Sequence, residues 1–244
     1  MRYLLQSGDY MRQEKLAVSR TTLPRIACSY DELSNLEGDD YIPVGTVEYV
    51  NEYCRIKNIT PPTNISYPVE LVKFLNRSVW QSSYSFAKEY QFVKPRNTKV
   101  FTGAVKKDIE ETVKDDEPVW ISDPMTFTAE FRFYILENNI VGYSRYDDGD
   151  DNIQPDINTV QQMIAVYNES PIGYTLDVGP VDNKTVLIEV NDGWSLGYYP
   201  WGTMTTDKYV ELITKRWKEI VQECCSQVRE IDAMEIRKHF GVEE

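Results

Sequence analysis

YTLDVGPVDNKTVLIEVNDGWSLGYY, residues 174–199, predicts two β-strands joined by a tight turn. Both halves of the stretch are rich in β-branched and apolar side chains, as strands are. Between them lie Gly179-Pro180 and Asp182-Asn183, which are typical turn residues. The stretch therefore predicts a β-hairpin, and the side chains that share a face of this hairpin can be read from its register.

The register brings three oxygen-bearing side chains together. A hairpin centred on Asn183 places Asp177 directly opposite Glu189, and Asn191 leaves the same face because it lies two residues after Glu189. Two carboxylates that face each other destabilise a sheet unless a cation lies between them. Carboxylate and amide oxygens are the hard ligands that suit magnesium. Two interpretations fit the pattern: a metal site, or a hairpin whose acids face solvent.

The composition is that of an ordinary globular protein. The chain has 244 residues, 41% hydrophobic and 27% charged, which is enough for one large domain or two small ones. The net charge is -13 and there is no basic block, so a general nucleic-acid or anionic-membrane surface is not expected. The first residues lack the apolar core of a signal peptide, and no run approaches the roughly 18 apolar residues of a membrane span.

The cysteines and the single histidine restrict the chemistry further. Cys28, Cys54, Cys224 and Cys225 match no zinc-binding spacing, and a vicinal pair does not easily bridge itself, so a reducing cytoplasm is expected. The only histidine, His239, lies in a charged tail. Histidine-based catalysis and multi-histidine metal sites are therefore not expected.

Residues before the hairpin predict further elements. Residues 41–45 predict a short strand, after which Thr46 is a typical helix N-cap. A second helix is expected to begin near Tyr67, with Pro68 in its first turn. Residues 90–95 and 99–105 predict two strands, and the first of them carries Lys94.

A second hairpin is predicted at residues 127–136 and 140–146, with Asn138-Asn139 as its two-residue turn. This turn places Arg132 opposite Arg145 and Glu130 opposite Asp147. Like charges in direct opposition are destabilising unless something neutralises them. One interpretation is an anion, such as a phosphate, held between the two guanidinium groups. The other is diagonal pairing of Glu130 with Arg145 and of Arg132 with Asp147.

In their order along residues 90–221, these segments resemble the ATP-grasp superfamily. The resemblance rests on FVKP (92–95), FTGAV (101–105), PVWISD (118–123), EFRFYI (130–135), GYSRY (142–146), YTLDVG (174–179) and LIEVND (187–192). The last two are the most specific, because they resemble the family's aspartate strand and its Glu-x-Asn strand. The phosphate loop departs from the pattern, since many members have a longer glycine-rich loop where this chain has Thr102-Gly103.

The resemblance implies an α+β protein with the ATP-grasp fold, in which two lobes of antiparallel sheet plus helices clasp the nucleotide. We expect a small α/β pre-ATP-grasp domain at residues 1–88 and the ATP-grasp domain at residues 89–244. Within the latter, the first lobe is expected at residues 89–118, the hinge at 118–123 and the second lobe at 124–244.

The resemblance also implies roles for individual residues. Those expected to bind ATP are Lys94 and Lys99 at the phosphates, the backbone of Val119, Trp120 and Ile121 at the adenine, Asp123 at the ribose, and Glu130. Those expected to hold Mg²⁺ are Asp177, Glu189 and Asn191. Arg132 and Arg145 are expected to face the transferred phosphoryl group or the carboxylate. Trp194 and Tyr198 are candidates for an acceptor-binding wall, unless they pack under the last helix.

The implied activity is that of an ATP- and Mg²⁺-dependent ligase, which activates a carboxylate as an acylphosphate, joins it to an amine, and releases ADP and phosphate. Phosphoryl transfer needs positioning and charge neutralisation rather than a nucleophilic side chain, which suits a chain with one histidine. Amino acids, peptides, proteins and modified nucleotides all remain candidate substrates. The alternatives are a kinase of the same fold, a non-catalytic nucleotide-binding or interaction protein, and a structural domain that binds no nucleotide.

Overall fold

The computed structural model describes residues 1–96, 100–147 and 152–239, with side chains described as far as Cys224. Within these ranges the chain forms three β-sheets and four α-helices. None of the helices in the described part of the chain is long and apolar enough to cross a membrane.

The leading unit is a parallel sheet with two helices. Its strands, in the spatial order β2-β1-β3, are β1 (Arg2–Gln6), β2 (Arg25–Cys28) and β3 (Tyr41–Val44). Helix α1 (Arg12–Ser19) follows β1, and α2 (Val47–Ile56) follows β3. Thr46 caps α2 as predicted, since its Oγ1 accepts a hydrogen bond from the Tyr49 N–H at 3.3 Å.

The first-lobe sheet is antiparallel, with the strand order β4-β7-β5-β6. Its strands are β4 (Val79–Ser83), β5 (Phe92–Pro95), β6 (Ala104–Val105) and β7 (Pro118–Ser122). Because β4 pairs with β7, this lobe begins before the boundary expected at residue 89. The strand predicted for residues 99–105 is shortened to β6, and Lys99 lies outside the described residues.

The second-lobe sheet is also antiparallel, with the strand order β11-β10-β8-β9. Its strands are β8 (Phe131–Leu136), β9 (Asn139–Arg145), β10 (Gly173–Val181) and β11 (Lys184–Asp192). Helix α3 (Ile157–Val166) precedes β10, and α4 (Thr206–His239) follows β11. The predicted hairpins are therefore both present as neighbouring strands of one sheet.

Two cores cover the two faces of the second-lobe sheet. On one face, Val160 and Met163 of α3 pack with Leu71, which comes from a 3-10 segment (Val69–Phe74) where a helix was expected after Pro68. On the other face, Tyr134 packs with α4 and with the leading unit. The leading unit therefore shares a core with the second lobe. Further along this face, towards Arg132, the sheet borders an open cleft.

The turn of the β10–β11 hairpin is Asp182-Asn183, and both residues have positive φ angles, 49° and 62°. From this turn the pairing runs regularly to Val178 opposite Leu187, and a β-bulge then shifts it. Asp177 consequently lies opposite Glu189, as predicted. The predicted pairing is confirmed, but its cause is different. The hairpin is not centred on Asn183, because its turn has two residues, and the bulge is what brings Asp177 opposite Glu189.

The β8–β9 hairpin turns one residue earlier than predicted. Glu137 and Asn138 have the positive φ angles, 50° and 60°, so the turn is Glu137-Asn138 rather than Asn138-Asn139. With a bulge in this hairpin as well, Phe131 lies opposite Arg145, and Arg132 opposite Ser144. The predicted opposition of Arg132 and Arg145 is therefore wrong, because the two side chains leave opposite faces of the sheet.

Candidate functional site

A cleft of about 460 Å³ lies between the first-lobe and second-lobe sheets. This volume is within the range of small-molecule sites. Six of the predicted site residues line it: Lys94, Asp123, Glu130, Arg132, Asp177 and Glu189. Thr102 and Gly103 line it as well, and a Cβ atom on Gly103 would lie 2.9 Å from the Phe92 ring, so the loop passes close over β5.

A buried ion pair forms the floor of the cleft. Arg132 and Asp177 face each other across β8 and β10, and their exposed fractions are only 9% and 1%. Arg132 Nε donates to Asp177 Oδ1 at 2.8 Å, and Nη2 donates to Oδ2 at 2.7 Å. Burial opposes the charged form of Arg132, but the Asp177 carboxylate outweighs it, so the pKa of Arg132 is raised. This two-point contact fixes both side chains.

The three predicted metal ligands converge beside this pair. Asn191 Nδ2 donates to Asp177 Oδ2 at 3.1 Å and to Glu189 Oε1 at 3.4 Å. Glu189 also forms an ion pair with Lys94 Nζ, which reaches across from β5 of the first lobe. The like charges predicted for this hairpin are therefore neutralised by two cations, Lys94 and Arg132.

The donor set fits a hard divalent cation. It offers two carboxylates and one amide, the oxygen-rich chemistry that magnesium takes, and leaves room for ligands from a phosphate group. The orientation of the Asn191 amide follows its hydrogen-bond partners, and turning it presents oxygen instead of nitrogen. Among the residues that the structure describes, no group of three or more His, Cys, Asp and Glu side chains is placed to hold a metal ion, and the site proposed here has two carboxylates and one amide.

The rings of Tyr146 and Tyr199 lie close to the guanidinium group of Arg132. The guanidinium carbon of Arg132 lies 5.6 Å from the ring centre of Tyr146 and 5.1 Å from that of Tyr199, and the two rings stack at 5.2 Å. Burial raises the pKa of Tyr146, with Asp177 and Glu130 acting in the same direction. Tyr134 holds Tyr199 in place, since its hydroxyl accepts from the Tyr199 N–H and donates to the Gly197 carbonyl, each at 3.0 Å.

Trp194 and Tyr198, the candidates for an acceptor-binding wall, lie in the core rather than at the cleft. Trp194 packs against the core under α4, and Tyr198 is buried, with its ring against Tyr209 and its N–H donating to Glu14. Its neighbour Tyr199 lines the cleft instead. Consecutive residues in an extended segment point to opposite sides, and the sequence did not reveal which of the two tyrosines faces inward.

The residues whose backbone was predicted to bind adenine, Val119, Trp120 and Ile121, do not line the cleft. Strand β7 is paired on both edges, with β4 and β5, so its backbone from Val119 to Ile121 is engaged within the sheet. The side chains of Val119 and Ile121 are buried. Trp120 packs edge to face on Tyr67, with the ring centres 5.0 Å apart. The residues of this connection that border the cleft are Ser122, Asp123 and Met125.

Arg145 is separated from the cleft by the sheet. It lies opposite Phe131, and its guanidinium forms hydrogen bonds with Asp147, Nε to Oδ1 at 2.7 Å and Nη2 to Oδ2 at 3.0 Å. Neither diagonal pair of the alternative interpretation is observed, since Asp147 bonds to Arg145 and Arg132 bonds to Asp177.

Several residues that line the cleft were not predicted. They are Tyr67, Arg77, Phe92, Ser122, Met125, Phe127, Tyr146, Ile188 and Tyr199. Tyr146 could have been found once the correct turn was known, because it lies two residues after Ser144, the partner of Arg132. Arg77 gives no sequence signal, since it is a single cation in a loop between two elements.

Comparisons with known proteins agree with this architecture. Residues 74–211 match the family described as ATP-grasp domain, R2K clade family 2. The D-alanine–D-alanine ligase of Bacillus anthracis is 11% identical, with a TM-score of 0.50 over 95% of this chain and 99% of that chain. The ATP-grasp ligase PsnB complexed with minimal precursor is 12% identical, with a TM-score of 0.49 over 88% of this chain and 99% of that chain. No curated protein matches.

Proposed function

The chain belongs to the ATP-grasp family, R2K clade family 2, and from this premise we propose that it is an ATP- and Mg²⁺-dependent ligase. It activates a carboxylate as an acylphosphate, joins the acyl group to an amine, and releases ADP and phosphate. The observation that carries the proposal is the convergence of Lys94 from the first lobe with Glu189 and Asp177 of the second on one cleft, with Asn191 bonded to both carboxylates.

The nucleotide occupies the cleft between the lobes. Lys94 exchanges Glu189 for the ATP phosphates, because a phosphate is the stronger partner for its ammonium group once Glu189 binds a cation. The adenine and ribose lie along Ser122–Met125, with Asp123 at the ribose. Glu130, which lines the cleft, remains a proposed ATP-binding residue, and so does Lys99, which lies outside the described residues.

Asp177, Glu189 and Asn191 hold magnesium. When bound, the ion supplies charge neutralisation to the phosphoryl group in transit. Before the ion binds, the Asn191 amide nitrogen keeps the two carboxylates together and Arg132 fixes the orientation of Asp177. For Asn191 to hold the ion, its amide would turn to present oxygen.

Arg132 is the arginine that faces the transferred phosphoryl group or the carboxylate. It lies in the cleft floor between the metal ligands and the Tyr146–Tyr199 pair, and burial strengthens its attraction for the developing negative charge. Arg145 has no place in this mechanism, because it lies on the other face of the sheet.

The acceptor amine approaches along Tyr199 and Trp201. These rings stack with their centres 6.1 Å apart, and Trp201 is 69% exposed. Their segment is fixed to the edge of β9, where the Ser144 hydroxyl donates to the Tyr199 carbonyl at 2.6 Å and the Thr203 N–H donates to the Tyr143 carbonyl at 2.8 Å. A rigid aromatic wall next to the reacting end is suited to hold a substrate.

A reducing cytoplasm is part of the proposal. Cys28 and Cys54 are buried free thiols, and burial raises the pKa of Cys54 to about 12, which keeps it protonated and unreactive.

Hydroxylamine trapping tests the reaction without knowledge of the amine. An acylphosphate reacts with hydroxylamine to give a hydroxamate and phosphate, so a panel of amino acids and peptides with Mg-ATP should yield a hydroxamate together with ADP and free phosphate. Glu189→Gln is the control without activity. Phosphate that stays attached to a substrate hydroxyl would show a kinase instead, and ATP that does not bind would contradict both.

A further inference from the structure

The orientation of Glu189 depends on the bulge in the β10–β11 hairpin. If the regular pairing of Val178 with Leu187 continued, Ile188 would lie opposite Asp177, and Glu189 would turn to the buried face. The bulge inserts Ile188 as an extra residue, so Ile188 and Glu189 both line the cleft. The bulge is therefore what places the carboxylate of Glu189 next to Asp177.

β11 is the edge strand of its sheet, so carbonyls on its outer side have no strand partner, and at the bulge an arginine bonds two adjacent carbonyls. Arg77 Nη1 donates to the carbonyl of Leu187 and Nη2 donates to that of Ile188, both at 2.9 Å. The same Nη1 also donates to the Leu75 carbonyl at 3.1 Å. The planar fork of a guanidinium can bond two adjacent carbonyls at once, whereas the ammonium group of a lysine cannot reproduce that geometry.

The arginine is itself held between two rings. Its guanidinium carbon lies 6.0 Å from the ring centre of Tyr67 and 5.8 Å from that of Phe127. The segment that carries it also follows the outer edge of β11, where the Val190 N–H donates to the Ser66 carbonyl at 2.9 Å. The backbone of β11 is thus fixed on both sides of Glu189.

We propose that Arg77 is a positioning residue for the metal site: it stabilises the β-bulge that turns Glu189 toward Asp177. The inference rests on the proposed function, in which Glu189 is a magnesium ligand. Arg77 acts through the backbone of Leu187 and Ile188, and it belongs to the segment that leads into the first lobe. The segment before the first lobe therefore sets the geometry of the second lobe's metal site.

The test measures how strongly magnesium and nucleotide binding are coupled. The Kd of the non-hydrolysable analogue AMPPNP is determined by calorimetry with Mg²⁺ and with EDTA, and the ratio of the two values is the coupling. Arg77→Met should reduce the coupling by about tenfold or more, the usual effect of removing a group that orients a metal ligand. The readout is the coupling rather than either Kd alone, because Arg77 itself lines the cleft. Arg77→Lys should lose most of the coupling as well.

Arg216→Met is the control for loss of an arginine that bonds to neighbouring groups by a two-point contact. Arg216 Nε and Nη2 donate to Asp192 at 2.7 and 2.9 Å, away from the cleft. This variant should lower Tm and keep the wild-type coupling. If Arg77 had only a structural role, Arg77→Met would likewise lower Tm and keep the wild-type coupling. That result would overturn the proposal.

Deletion of Ile188 provides a rescue. Without the extra residue, regular pairing places Glu189 opposite Asp177 with no bulge, so the deletion combined with Arg77→Met should restore the coupling. Failure of a folded double variant to recover the coupling would contradict the proposal.

An equal loss of affinity with Mg²⁺ and with EDTA in Arg77→Met would also overturn the proposal, since Arg77 would then bind the nucleotide directly. A wild type without coupling, or a Glu189→Gln variant that keeps it, would overturn the proposed metal site itself.

Discussion

Arg132 and Asp177 depend on each other for their stability in the fold. Both are buried, and their two-point contact satisfies charges that would otherwise lie unpaired in a region of low dielectric constant. The energy of such a pair is felt mainly when one partner is removed, because the remaining charge then stays buried without compensation.

Arg132→Met should therefore destabilise the protein by about 3–5 kcal/mol, as expected for breaking a buried ion pair. Arg132→Met combined with Asp177→Leu should recover much of this loss, while neither protein turns over substrate. Urea unfolding of the two single variants and the double variant measures the coupling. Losses that simply add would contradict the mutual dependence of the two residues.

At the scale of the element, the sequence located the strands of the two second-lobe hairpins but not their bulges. The β-branched and apolar content of β10 and β11 located both strands, and the predicted register correctly paired Asp177 with Glu189. In β8 and β9 the same procedure failed, because Glu137 rather than Asn139 takes a left-handed conformation. A one-residue shift in a turn exchanges the faces of a strand, and it is decided by packing that the local sequence does not show.

The sequence also did not specify the position of residues 197–199. Tyr134→Phe tests whether the Tyr134 hydroxyl keeps this segment in place. Loss of the hydroxyl leaves the Tyr199 N–H and the Gly197 carbonyl without this partner, at a cost of about 1–3 kcal/mol. We expect a lower Tm and a raised KM for the amine, because Tyr199 loses its fixed position over Arg132. An unchanged KM would exclude Tyr199 from the acceptor wall.

Helix α1 contacts the same segment through a buried carboxylate, Glu14, which accepts from the Tyr198 N–H. Burial raises the pKa of Glu14 above its ordinary value of 4.5, although the hydrogen bond from Tyr198 lowers it. The folded state then binds a proton more tightly than the unfolded state, so this residue lowers the free energy of unfolding as pH rises through the window above 4.5.

Glu14→Gln should gain stability relative to the wild type as pH rises through that window, and the gain should level off above the raised pKa. Thermal unfolding from pH 4 upward measures the difference in Tm between the two proteins. Glu52→Gln is the control: a hydrogen bond from Arg55 lowers the pKa of this partly exposed helical residue, so Glu52→Gln should show no such gain in the window above 4.5. A difference in Tm between Glu14→Gln and the wild type that does not vary with pH would contradict the assignment.

At the scale of the whole molecule, the order of the segments revealed more than any single motif. It predicted two lobes of antiparallel sheet, and six of the residues that it named line the cleft between them, although the first lobe begins earlier than expected. The leading unit, predicted as a small domain, shares a core with α4 and Tyr134, which the sequence did not indicate. Such long-range packing brings together residues that are far apart in the chain, and local periodicity carries no information about it.

The lobes meet where Lys94 contacts Glu189, so nucleotide and magnesium together should replace that contact and hold the lobes more firmly. The most direct test is thermal unfolding of the wild type and of Glu189→Ala with AMPPNP, each with and without Mg²⁺. At about 100 times its Kd, the ligand adds ~2.7 kcal/mol, a rise of several degrees in Tm. We predict a rise that requires magnesium in the wild type and is lost in Glu189→Ala. No rise in the wild type, or an equal rise without magnesium, would contradict the account.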